Sequence, residues 1–178
     1  MSDSGIRSLT GWLIDSVTLR VGALADDGPV LRALDESDQR TQQLIAKLQI
    51  SWEILERISP VHTRWLRRFV NRVVLVPPLG PRASYRHRSR SVFLRDDSGV
   101  AHDALGLAAI LAHEGTHARL CAHFGSRLML LQTRARVEHR CVTEQLAVLR
   151  AGDPQHYLVE WSQELLTRYE GKIDLPRS

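Results

Sequence analysis

The chain has 178 residues, of which 43% are hydrophobic and 25% charged, the balance of a globular protein with one full-sized core and not of a disordered chain. Its formal charge of +4 is almost all arginine, since only Lys47 and Lys172 are lysines; the arginines of "RWLRRFVNR" and "RASYRHRSRSVFLR" lack interleaved aromatics in a stacking pattern, which argues against a nucleic-acid partner. The opening "MSDSGIRSLTGWLIDSV" has no basic start, long apolar core or small-residue cleavage site, and no apolar run approaches the roughly 18 residues of a membrane span, so a soluble, cytoplasmic protein is expected.

No repeat, low-complexity tract or Pro/Gly-rich linker divides the chain, and a single domain over residues 1–178 is the simplest parse. A helix pair comes first. "DESDQRTQQLIAKLQISWEILERI" carries Leu44, Ile45, Leu48, Trp52, Ile54, Leu55 and Ile58 mostly at helical spacing and stops at Pro60. "PVHTRWLRRFV" then restarts a helix with proline in its first turn, where the missing N–H does no harm. "NRVVLVPP" and "SRSVFLRD" are β-branched or aromatic runs and read as strands. From Asp103, "DALGLAAILAHEGTHARLCAHFG" is apolar nearly all round, which marks a buried helix stopped by Gly125. Two more helices are expected, over about Leu130 to Arg150 and about Gln155 to Arg168, making the fold class α+β.

Inside the buried helix stand His113, Glu114 and His117. Four residues of helix turn the side-chain direction by only about 40°, so the two histidines lie one above the other and can grip one ion. Neutral imidazole is a preferred zinc ligand, and Glu114 sits on the neighbouring flank, where a carboxylate reaches a water more readily than the metal. Buried polar groups need partners, and a metal supplies one that core packing does not.

A catalytic zinc usually takes a third protein ligand. On a wheel of about 100° per residue with Arg134 at zero, Val137, Cys141, Val142, Val148 and Leu149 form an apolar stripe centred near ~20°; Glu138 falls at about 40°, and Glu144 lies about 100° from the centre. A carboxylate in the middle of a buried stripe asks for a cation, so Glu138 is the expected third ligand. The alternative is His123, six residues after His117. There the midway residue is Leu120 and not a glycine that turns the chain back, which points His123 some 120° away from His117. Met129, Cys121 and Cys141 read as core packing, although either cysteine could approach the site. Gly115 leaves room beside the helix for a neighbouring element or for ordinary packing.

Four segments in this order, "SPVHTRWLRRFVNRVVLV", "SYRHRSRSVFL", "LAHEGTHARL" and "RVEHRCVTEQLAVLR", resemble a small gluzincin-type zinc metallopeptidase, and more narrowly the short bacterial zincins of unassigned substrate, over roughly residues 58 to 150. The resemblance implies a zincin-like core, with residues 1–58 as an N-terminal helical portion and 59–178 as the catalytic core. It implies Zn2+ held by His113, His117 and Glu138, with Glu114 as general base for hydrolysis of a peptide or small amide. It also implies an edge strand beside the cleft, for which "SVFLR" is the expected strand. No N-E-x-x-S-D-like segment surrounds Glu138, so a partner that orients the histidines is not marked. Tyr85, and after it His156 or Tyr157, are the candidate donors to a developing oxyanion.

Overall fold

The computed structural model describes residues 18–35, 37–77, 81, 83–95, 97–125 and 134–173. In chain order these form β1 (Leu19–Ala23), β2 (Val30–Ala33), α1 (Gln39–Ile58), α2 (Pro60–Phe69), β3 (Arg72–Val76), β4 (Ala83–Arg86), β5 (Ser91–Arg95), the single turn α3 (Ser98–Ala101), α4 (Ala104–Phe124), α5 (Arg134–Gly152) and α6 (Leu158–Ile173). The α+β class is therefore observed. No helix among these residues is long and apolar enough to cross a membrane.

The strands make one mixed sheet in the order β1-β2-β3-β5-β4. β2 and β5 flank β3 in parallel, with Val73 opposite Leu31 on one side and Val92 on the other. Val73, Val74 and Leu75 are all buried, as expected for an interior strand covered on both faces. β1 and β4 close the sheet as antiparallel edges.

Two expectations change here. Residues up to 58 are not helical throughout: β1 and β2 join the sheet, and Leu24, Leu31 and Ala33 share one core cluster with Leu107, Leu111 and Leu149, so no seam divides the chain at residue 58. "LRVGA" and "VLRA" are too short for a period to stand out; β1 pairs with β2 alone, and the pairing of β2 with β3 is non-local. The edge strand is also not "SVFLR". That segment is β5, paired on both sides, and the edge beside the helices is β4, "ASYR". β4 is short and polar, and a turn over residues 87–90, with Arg90 at φ +50°, joins it to β5. The Arg90 guanidinium donates to the carbonyls of Phe69, at 3.1 Å, and Arg68, satisfying the open end of α2.

The helices follow their caps. α1 starts where the Asp38 carboxylate accepts the Thr41 N–H at 2.9 Å and buries Leu44, Leu48, Trp52 and Leu55 along one stripe. α4 starts where Asp103 accepts the Gly106 N–H at 2.7 Å, and ends at Gly125, whose φ of +59° suits a residue without a Cβ. α4 is the central helix, packed against α1, α2 and α5 and crossed by β4. Gly115 is where α2 comes closest: a Cβ there would stand 3.2 Å from Leu66 Cγ, and Leu66 is fully buried. α5 is described from Arg134, so the expected start near Leu130, and Met129 with it, lie outside the described residues.

Candidate metal centre

α4 and α5 lie side by side, and the contact brings His113, His117 and Glu138 together. His113 Nε2 is 3.6 Å and His117 Nε2 3.5 Å from the same oxygen, Glu138 Oε2. Zinc bonds of about 2.0–2.1 Å in a tetrahedron put neighbouring ligand atoms ~3.3–3.4 Å apart, so each imidazole–carboxylate pair stands within a few tenths of an ångström of the spacing between two ligands of one ion. The bland alternative for Glu138, an arginine partner, is weak: Arg134 Nε lies 3.9 Å away on a side chain 84% exposed.

The electrostatics point the same way. Hydrogen bonds from His113 and His117 hold the Glu138 carboxyl well below the usual range, against the opposing effect of burial. Burial works to lower the His113 pKa, but the Glu138 hydrogen bond and the charges of Glu114 and Glu138 together raise it. A carboxylate held in its ionised form and an imidazole shifted toward protonation describe a place where positive charge is favoured, and a divalent ion can supply it in place of a proton.

Gln145, on the same face of α5 two turns beyond Glu138, accepts the His113 Nδ1–H through Oε1 at 3.0 Å and passes its own N–H to Ser162 Oγ at 3.4 Å. That bond fixes the ring and aims Nε2 at the centre, the role such partners play around metal-ligating histidines. The seven-residue step from Glu138 was readable from the sequence and went unused.

Glu114 is 4% exposed, and its Oε2 is buried with no hydrogen-bond partner among the described residues. Burial raises its pKa, and the Glu138 charge adds to that; His113, His117 and the Tyr85 backbone N–H act in the opposite direction. An orphaned carboxylate oxygen is costly in a core and calls for a reason. The reason lies next to it: a cavity of about 420 Å³, lined by His113, Glu114 and Gln145 and walled by Ile110, Leu158 and Trp161. The chain matches no family model, no curated protein and no solved structure. What the centre can do therefore rests on its own chemistry.

The remaining candidates fall elsewhere or in new roles. His123 is exposed and stacks edge-on against Phe124, in a hollow with Arg68 and Arg119 and apart from the two imidazoles. The Tyr85 hydroxyl donates to the Phe69 carbonyl at 3.4 Å, and its ring lines a hollow one helical turn past His117, so it is not brought to the cavity; its strand direction turns the ring toward the end of α2. His156 is taken up by Asp103, at 3.0 Å, and by the Leu158 N–H, tying the start of α4 to the start of α6. Tyr157 does line the cavity, with its hydroxyl 3.1 Å from His102 Nδ1. Glu144 faces His62 at 3.4 Å and Arg140 at 2.6 Å. Cys141 departs from the packing expectation: although fully buried beside Val137, its Sγ lies within 4.8 Å of ligand nitrogens of both His113 and His117. Burial, together with the charges of Glu138 and Glu114, drives its thiol pKa far up in the metal-free protein, and a cation bound there would lower it again, so Cys141 stands beside Glu138 as a candidate ligand.

Proposed function

We propose that the chain is a zinc-dependent metallohydrolase with a zincin-like core, a peptidase of the gluzincin type, in which His113, His117 and Glu138 hold the metal and Glu114 is the general base. The observation that carries this reading is the convergence of both Nε2 atoms on Glu138 Oε2, with the unpartnered Glu114 oxygen beside them at the wall of a cavity. Zinc bound there would lower the pKa of a water toward neutrality and polarise the scissile carbonyl.

The chain's own groups do the rest. Glu114, with its pKa raised by burial, takes the attacking water's proton and delivers it to the leaving amine. The Ile110, Leu158 and Trp161 wall receives an apolar side chain and keeps bulk water out. β4 is the edge strand of the sheet, with its Tyr85 N–H turned to Glu114, and an extended substrate would lie along it beside the centre. Tyr157, held by His102, is the phenol on this cavity and the better-placed donor to a developing oxyanion.

The test is elemental analysis of the purified chain with hydrolysis of a quenched fluorescent peptide library. One zinc per chain is expected, with activity lost on chelation and restored by added zinc. A chain that binds no zinc at micromolar concentration overturns the reading. Gln145→Leu is expected to weaken zinc binding by about 10- to 100-fold while the fold is retained, measured by competition with a chelating dye and by circular dichroism.

Cys141 favours a second reading, a closed site of His113, His117, Glu138 and Cys141 that fixes the fold without catalysis. In that case chelation unfolds the protein and Cys141→Ser loses the metal; a catalytic centre survives both with its fold intact.

A further inference from the structure

Three hollows adjoin where α2 and α4 end, and Arg68 and Phe69 line all three. Their volumes are about 510, 550 and 340 Å³, and among the described residues no carboxylate lines any of them. Arg67 is answered by Asp27 and Glu56, and Arg90 by backbone carbonyls. Arg64, Arg68 and Arg119 have no carboxylate within ion-pair distance among the described residues. Two of these guanidiniums are held on aromatic faces, Arg119 at 4.3 Å from Trp65 and Arg68 at 5.5 Å from Phe69. They form a preorganised cationic groove.

The groove and the candidate centre lie along the same two elements. β4 and α4 run alongside one another: Ala83 lines the apolar cavity with Ile110 and His113, while Tyr85 and His87 line the third hollow with Cys121. From Ile110 to Cys121 is about 16 Å of helix, and from Ala83 to His87 about 13 Å of extended chain. An extended peptide laid along β4 and α4 would thus pass from the apolar cavity, by the centre, into the arginine groove in roughly four to five residues.

We propose that the groove selects acidic polypeptide: the substrate carries a large apolar side chain at one end of this path and Asp or Glu at the other, on the N-terminal side when it runs antiparallel to β4. This rests on the peptidase reading of the centre. A nucleic acid fits less well, because base stacking needs free aromatic faces. Trp65 has Arg119 over its ring and His62 at 4.7 Å from it, and Phe124 meets His123 edge-on at 4.8 Å.

The test is binding to the full chain carrying Glu114→Gln, supplied with zinc, by fluorescence anisotropy of labelled decapeptides. Each holds Leu near the C-terminus and a pair of Glu, Gln or Lys about five residues before it. The Glu peptide is expected to bind about five- to tenfold more tightly than the Gln peptide at low salt, with the gap closing as salt rises. Arg68→Glu with Arg119→Glu is expected to invert the order, so that the Lys peptide binds more tightly than the Glu peptide. Equal affinity for Glu and Gln peptides, an unchanged order in the double variant, or tighter binding of a single-stranded oligonucleotide of equal charge would each overturn the assignment. Charge-selective binding without cleavage by the zinc-loaded wild type removes the peptidase reading and leaves the groove; cleavage indifferent to charge does the reverse.

Discussion

Glu114→Gln is expected to keep one zinc per chain and to lower kcat by ~10²- to 10⁴-fold, the usual contribution of a positioned general base. The substitution is nearly isosteric and touches none of the three proposed ligands, so metal content and fold should stand while proton transfer fails. A second readout separates this from damage to the protein. The Glu114 pKa is raised in the folded state by burial, so between its unfolded value near 4.5 and its folded value the native chain binds more protons than the unfolded one. Its contribution to stability is therefore present below that window and lost as pH rises through it. Melting curves of metal-free wild type and Glu114→Gln should accordingly separate as pH rises above 4.5, with the Gln protein the more stable at the upper end. Turnover that survives the substitution refutes the assignment of the base. A Gln protein less stable than wild type at neutral pH refutes the account of why that carboxylate is strained.

The parts of the molecule legible in the sequence were those written in local periodicity. The α4 helix, its Asp103 start and its Gly125 stop follow from an apolar run with a capping residue at each end, and the Glu138 position on the buried stripe of α5 follows from angle alone. The sheet was harder to read because its information is non-local. β1 and β2 carry five and four residues; β1 pairs only with β2, and β2 is anchored by β3, reached only after two helices. "SVFLR" is the expected edge on the family resemblance, but its apolar content marks an interior strand, and the short polar "ASYR" takes the edge. Gln145 was missed for a related reason. A search for ligands looks for charge and imidazole, and the amide that steadies one of those imidazoles carries neither. The arginines of "RASYRHRSRSVFLR" looked like a single basic feature, but the fold sends Arg90 to the α2 carbonyls and Arg86 over Phe93, at 5.8 Å, so the sequence cluster is not a surface cluster.

Glu138→Ala is expected to weaken zinc binding by roughly 10³-fold, on the ~3–5 kcal/mol scale of removing one partner from a buried ionic contact, whereas Cys141→Ser should retain the metal. The same substitution has a pH signature that differs with and without zinc. In the metal-free protein Glu138 is the group whose hydrogen bond and charge raise the His113 pKa above its ordinary 6.5. A raised imidazole pKa contributes stability that is fully present below about 6.5 and disappears as pH rises through the folded value. Metal-free Glu138→Ala should therefore be most destabilised relative to wild type at mildly acidic pH, and the gap should shrink above neutrality. With zinc present the order reverses, because the metal needs both imidazoles unprotonated and its loss costs most where wild type binds it best, above about pH 7. Chemical denaturation at several pH values, with and without zinc, reads both trends in one experiment. If Glu138→Ala keeps the metal while Cys141→Ser releases it, the anionic ligand is the thiolate, and the carboxylate serves only to pair with the imidazoles.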